Sequence, residues 1–328
     1  MSANWQTAID AYAVHKNYAA AAAALGITPG AFSNRLYMAR MNKLTPRSAE
    51  VKVKPRIRVD AVIRPAAPAV AAPTPVVPAS HTNKCVLVLS DLHMPYQHPD
   101  SFAFLAALKA KYNPDRIVNV GDETDGHALS FHDSDPDLDS AGRELSQARA
   151  GARALHDIFP QMDLVDSNHG SLLYRRGKAH GIPRHMLLEY RDVLFGEKQK
   201  DGTIIRRGGI GEGWTWQHSI VLDLPGNKKC LVVHGMSKST MQNVKQCGMN
   251  FIQGHHHGTA EVVYSGTPDA LNWGMTVGCM IDDSSRAFAY NRTTMARPII
   301  GCGIIIDGQP RLLPMILQKG GRWGGYVP

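Results

Sequence analysis

From Trp5 to about Leu44 apolar positions recur at helical spacing. Ala8, Ile9, Tyr12 and Ala13 share one face, and an alanine-rich run follows from Ala19 to Leu25. Gly26 predicts a stop, and Thr28-Pro29 supplies an N-cap with proline at the first helical position, so a third helix is expected through Phe32, Leu36 and Tyr37. Residues 46–82 lose all periodicity: they hold seven prolines, and Ala61 to Ser80 is almost entirely Ala, Val and Pro, which cannot build a core. From Lys84 short apolar runs alternate with helical patterns: Cys85 to Leu89, a helix from about Ser101 to Lys111, Arg116 to Val120, and Met162 to Asp166. After about Ile220 strand follows strand: Ile220 to Leu224, Cys230 to Val233, Asn250 to Gln253, Ala260 to Tyr264, Ile299 to Ile306 and Arg311 to Leu317. The pattern predicts an α/β chain with two packed sheets and helices outside them.

Charge changes the picture at one end only. Of the formal +8 carried by 328 residues, residues 1–80 hold ten Lys and Arg against three acids, whereas the remainder holds 26 against 25. A local basic excess points to a polyanion, nucleic acid first. The predicted helices, with the turn at Gly26 and Arg35, Arg40 and Lys43 on and just after the third, resemble a helix-turn-helix domain, and that resemblance implies these three residues as DNA contacts. A helical bundle that docks on a protein is the other reading of the same segment. The basic run Lys52, Lys54, Arg56, Arg58 and Arg64 opens the linker. No stretch of eighteen apolar residues and no secretion signal are present, so a cytoplasmic protein is expected, with its five scattered cysteines reduced.

Candidate chemistry gathers at strand ends. The first run closes in Ser90-Asp91-Leu92-His93, the second in Gly121-Asp122-Glu123-Thr124-Asp125, and the third in Ser167-Asn168-His169-Gly170. Two later runs close in His234-Gly235 and in Gly254-His255-His256-His257. Carboxylate, carboxamide and imidazole groups suit Mn²⁺, Fe or Zn²⁺. In order and type these blocks resemble the calcineurin-like metallophosphoesterases, with their DxH, GDxxD, GNH, lone histidine and GHxH. Asp91 to Tyr96 is similar to bacteriophage-encoded members, which would place the protein in a host cytoplasm.

The resemblance implies a four-layer αββα sandwich of two mixed sheets over residues 84–328, after a helical domain (1–45) and a linker (46–83). It implies two divalent metal ions, most simply Mn²⁺. Asp91, His93, Asp122 and His257 would hold one, and Asp122, Asn168, His234 and His255 the other, with Asp122 shared. It further implies a hydroxide between the ions as nucleophile, His169 at the leaving group, and Asp125 orienting His169. His256 is expected to point away from the ions, as adjacent residues on an extended end do.

Gly170 stands where the family carries an acid and Ser167 where it carries glycine. Gly126 stands where the Ser/Thr protein phosphatases carry a phosphate-clamping arginine; Arg175 and Arg176 read either as substitutes for its charge or, equally well by spacing, as a solvated helix face. The acidic run Asp133, Asp135, Asp137 and Asp139 reads as a solvated loop, Gly208 to Gly211 as a turn, and Gly320 to Tyr326 as a loose tail. The expected function is hydrolysis of phosphoesters in nucleic acid, as a nuclease, phosphodiesterase or end-phosphatase. The alternatives are a DNA-binding regulator with a degenerate phosphoesterase domain, and a phosphatase of proteins or small nucleotides.

Overall fold

The computed structural model describes residues 2–41, 83–131, 137–235, 238–285, 287–288 and 297–328. Lys43, the linker, its basic run, and Asp133 and Asp135 lie outside these. The chain divides into two compact units, Met1–Thr74 and Pro75–Pro328.

The first unit contains α1 (Ser2–His15), α2 (Tyr18–Ala24) and α3 (Pro29–Met41). The short side chains of Ala8, Ala21, Ala22 and Ala39 let the three helices approach closely around Phe32 and Leu36, all of them buried. Asn17 caps α2 by accepting the Ala20 N–H at 3.0 Å, and Thr28 Oγ1 accepts the Ala31 N–H at 3.3 Å at the start of α3. Gly26, at φ +62°, turns the chain between them.

In the second unit the described strands are β1 (Cys85–Leu89), β2 (Arg116–Asn119), β3 (Met162–Val165), the short β4 (Glu197–Lys198) and β5 (Ile204–Ile205), β6 (Trp214–Gln217), β7 (Ile220–Leu224), β8 (Lys228–Val232), β9 (Asn250–Gln253), β10 (Glu261–Gly266), β11 (Leu271–Thr276), β12 (Gly301–Ile306) and β13 (Gln309–Pro314). One sheet runs β13-β12-β1-β2-β3-β6 and the other β10-β11-β9-β8-β7, while β4 pairs only with β5. Both large sheets are mixed: β1, β2, β3 and β6 are parallel, as are β8, β9 and β11, and antiparallel strands complete each sheet.

Alternation along β1 explains the layering. Val86 and Val88 enter the core between the sheets with Val118, Val120, Leu222, Val232 and Ile252. Leu87 and Leu89 face the other way, against Phe104 and Leu108 of α4 (Ser101–Tyr112) and Ala152 and Leu155 of α5 (Ala141–Ile158). Both faces of this strand are buried, which is why it reads as an unbroken apolar run. Further along the chain come α6 (Leu172–Ala179) and α7 (Tyr190–Phe195). On the outer face of the second sheet lies α8 (Thr240–Cys247), opened by a Ser239/Gln242 capping box. A Cβ at Gly274 of β11 would collide with Val244 of α8, so glycine is what lets helix and sheet meet. Helix, sheet, sheet and helix form the four layers that the resemblance implied.

Several boundaries differ from expectation. The last strand starts at Gln309, because Asp307 (φ +48°) and Gly308 (φ +79°) make a two-residue hairpin turn directly after β12. Strands β6 and β11 were hidden, the second by Asn272 and Gly274 in its middle. The C-terminal segment is packed, not loose: Trp323 lies edge-on to Phe104 at 5.5 Å, and Arg322 Nε donates to Asp100 Oδ2 at 2.8 Å. Gly208 and Gly209, at φ +65° and +69°, do form a turn.

Candidate metal centre

Parallel strands within a sheet deliver their carboxyl ends to the same edge. Asp91 and His93 follow β1, Asp122 and Asp125 follow β2, and Asn168 and His169 follow β3; from the second sheet His234 follows β8, and His255 and His257 follow β9. The backbone is bent sharply at four of them, with φ +46° at Asp91, +50° at His93, +52° at Asp122 and +67° at His255. Such a conformation costs a side-chain-bearing residue about 1–2 kcal/mol. Bonds hold it in place: His93 N–H donates to Asp122 O at 2.9 Å and Asp91 N–H to Gly121 O at 3.1 Å. Gly254 is required by closeness, since a Cβ there would meet Ser90 Oγ and stand 2.5 Å from Asp91 Oδ2.

Three groups result, each with ligand atoms within 4.8 Å of one another: Asp91, His93, Asp122 and His257; Asp122, His234 and His255; and His93, Asp125 and His169, of which the first two share Asp122. Asn168 joins the second, its Oδ1 2.6 Å from His234 Nε2. The hydrogen positions decide what these groups can hold. His93 Nδ1 faces Asp125 Oδ1 at 2.7 Å, which places the ring hydrogen there and leaves Nε2 a lone pair. That lone pair faces His257 Nε2 at 3.2 Å, Asp122 Oδ2 at 3.5 Å and Asp91 Oδ1 at 4.0 Å. His234 repeats the device: Nδ1 donates to Val120 O at 2.8 Å, and Nε2 faces Asn168 Oδ1, Asp122 Oδ2 at 3.2 Å and His255 Nδ1 at 3.2 Å. Carboxylate oxygens and imidazole nitrogens that converge in this way are held together by protons on the rings or by a cation that replaces those protons. The donor set therefore fits divalent cations bound through oxygen and nitrogen.

Asp122 lies at the junction. Its Oδ1 accepts the His169 N–H at 3.1 Å, while the buried Oδ2 faces the first two groups, 3.5 Å from His93 Nε2 and 3.2 Å from His234 Nε2. A single oxygen, more than the whole carboxylate, is what the two groups share. Electrostatics follow from the crowding. Burial alone would raise the Asp122 carboxyl, but the imidazoles of His234, His169 and His93 hold it well below its usual range. Burial pulls His234 down, yet the Asp122 carboxylate outweighs this and lifts it to about 9. His93 goes the other way, because burial prevails and keeps the ring neutral.

His169 stands beside the first two groups with its ring centroid 4.5 Å from that of His93. Its Nδ1 bonds the backbone carbonyl of Asp125; the carboxylate Oδ1 is 3.8 Å away and is committed to His93. Orientation of His169 by Asp125 thus runs through the main chain, and the carboxylate fixes the His93 tautomer. His256 is outside all three groups, its ring 5.4 Å from His255. Arg175 lies over Phe131 and donates to Asn168 O at 3.4 Å, while Arg176 is tied to the carbonyls of Leu129 and Ser130. Of the basic residues singled out in the first unit, Arg35 and Arg40 lie on α3.

Three residues escaped the sequence reading. Glu123 is buried next to Asp122, and burial pushes its carboxyl up to about 8. Tyr190 donates to its Oε2 at 3.4 Å, and Phe288 packs edge-on against His93 at 5.6 Å. Glu123 sits inside the Gly121–Asp125 block and carried a signal there; the other two carried none.

No protein-family model matches the sequence, and no curated protein does. Solved structures with a related course of chain include vacuolar protein sorting 29 from Cryptosporidium parvum, at 14% identity over 73% of this chain and 94% of that one, TM-score 0.37. The Vps29 of Chaetomium thermophilum is 12% identical over 74% and 94%, TM-score 0.35. Yfce, a phosphoesterase from E. coli, is 10% identical over 74% and 97%, TM-score 0.31. With every TM-score below 0.5, no conclusion about activity rests on these likenesses.

Proposed function

We propose that the chain is a dimetal-dependent phosphoesterase acting on nucleic acid. The observation that carries the reading is the pair of acceptor groups sharing Asp122 Oδ2, with His169 beside them. Two divalent ions so held would supply charge stabilisation to a phosphoryl group and a more acidic water. The chain's own residues do the rest. His169, its Nδ1 tied to a carbonyl, has Nε2 left to hand a proton to a departing oxygen. Asp125 keeps His93 in the tautomer that presents Nε2 to the ions. Arg175, exposed beside Asn168, offers positive charge to a substrate phosphate.

Nucleic acid is favoured by the ten Lys and Arg among residues 1–80 and by the capped, three-helix first unit. A tethered binding unit raises the local concentration of the catalytic unit on the same polymer. The test is a substrate panel with Mn²⁺: bis-para-nitrophenyl phosphate, linear and nicked DNA, RNA, 3′-phosphate ends, cyclic phosphates and a phosphopeptide. Turnover that is greatest on a nucleic-acid substrate, lost with chelator and lost in Asp122→Asn at unchanged circular dichroism is expected. Turnover of none of them would favour the DNA-binding regulator, and preference for the phosphopeptide would sink the nucleic-acid reading.

A further inference from the structure

A cavity of about 580 Å³ opens beside the metal centre, in the range of small-molecule sites. It shares a wall with that centre, because Glu123 follows Asp122 and Gly170 follows His169, and both line the cavity. Gly170 keeps the wall thin: a Cβ there would stand 3.1 Å from Ser167 Oγ and 3.5 Å from the Tyr190 ring. Three aromatic residues and one basic residue give the cavity its character. Tyr174, Tyr190 and Trp216 line it, Tyr190 and Trp216 meet edge to face at 5.7 Å, and Arg191 lies over Trp216.

The lining also holds polar atoms left without a partner. Glu123, only 1% exposed, has Oε1 unbonded, and Arg191 Nε, Arg206 Nε and Trp216 Nε1 are donors in the same condition. Buried polar groups of this kind are uncommon and cost stability unless something satisfies them. Flat rings, one free carboxyl oxygen and three free donors suit a planar heterocycle with N–H and lone-pair sites along its edge. A phenyl ring, as in a tyrosine phosphoester, would stack but leave every one of those atoms unmet. An aliphatic serine or threonine ester would not even stack.

We propose that this cavity receives the nucleobase adjoining the phosphoester that is cleaved, so that substrates are read as single-stranded or unstacked nucleotides. The inference rests on the phosphoesterase reading above. Stacking of a base on aromatic side chains strengthens binding by roughly 10-fold or more.

Two diesters with the same leaving group separate base recognition from chemistry: the para-nitrophenyl ester of adenosine 5′-phosphate, and methyl para-nitrophenyl phosphate. With Mn²⁺, kcat/KM is expected to be at least ~10-fold higher for the nucleoside ester, mainly through KM. The ratio between the two esters should fall toward one in Trp216→Leu and in Tyr174→Ala. The second variant alters a side chain already 37% exposed, which keeps the test informative should the first fail to fold. Equal kcat/KM for the two esters in the wild type, or equal losses on both in Tyr174→Ala, would overturn the proposal. Calorimetric titration of adenosine into chelator-treated protein distinguishes the two readings. Binding that Tyr174→Ala weakens, with neither ester hydrolysed, keeps the cavity's assignment and sinks the phosphoesterase; no binding sinks the cavity's assignment whatever the activity.

Discussion

At the scale of single residues, His169 and His234 both meet the Asp122 carboxylate, with different work. His169 is bonded to the backbone of Asp125 and belongs to neither acceptor group around Asp122, so His169→Ala should retain metal but lose rate, roughly 10²–10⁴-fold for a proton-transfer role. The deficit should shrink on para-nitrophenyl esters, whose leaving group needs little protonation; a loss of bound metal, measured by elemental analysis, would place His169 among the ligands instead. His234 is held by Asp122 at a pKa of about 9, so near neutral pH a cation must displace its proton to reach Nε2. Mn²⁺ affinity should therefore rise with pH up to about 9, and titrations in two buffers of different ionisation enthalpy should report a proton released at pH 7. The same raised value stabilises the ion-free fold in full below the ordinary histidine value of 6.5, and that contribution disappears as pH rises through about 9. Pairwise motifs let the ligand types be read from the chain. The division of Asp125, carboxylate to one histidine and carbonyl to another, could not be, because spacing says nothing about which atom of a residue faces which neighbour.

Among the elements, strands buried on both faces were the most legible. The run at β1 stands within the sequence as an unbroken apolar segment ending in polar residues, β9 is buried along its whole length, and the expected ends of β1, β7 and β9 match the observed ones although Val221 of β7 is exposed. Strand β11 failed to announce itself because its middle answers to a helix: Gly274 is there for Val244 of α8, and glycine in a strand pattern reads as a break. The C-terminal segment was misjudged for a related reason. Gly320, Gly321, Gly324 and Gly325 suggest freedom, but what fixes the segment is non-local, Arg322 on Asp100 and Trp323 on Phe104, more than two hundred residues away along the chain. The cavity beside the candidate metal centre was equally invisible, since the loops after β2 and β3, α6, α7 and β6, separate along the chain, each supply only part of its lining.

For the whole molecule the division at Thr74 and Pro75 separates the basic excess from every candidate ligand, the earliest of which is Asp91. A chain beginning at Pro75 should turn over a small chromogenic diester at the full-length rate and bind DNA more weakly. The difference should be widest at low salt, with the slope of log affinity against log salt falling by about 0.9 for each phosphate contact removed. Equal affinities and equal slopes for the two proteins would reassign the three helices to a protein partner.

The bent backbone at the four site residues has a consequence for how the protein can change. His255 holds φ +67° although its side chain is exposed, so nothing in the core depends on that imidazole. His255→Gly should leave the ion-free fold as stable or about 1 kcal/mol more stable, because glycine adopts this conformation without the penalty a side chain brings. Thermal unfolding of chelator-treated protein measures this, and a fall in melting temperature would show that the ring supports the fold. The same variant should bind less metal and lose the stabilisation that ligand binding confers on the native state. Under the proposed function, drift toward higher stability and retention of activity would pull in opposite directions at this position, and a bound ion would be what lets the less comfortable residue persist.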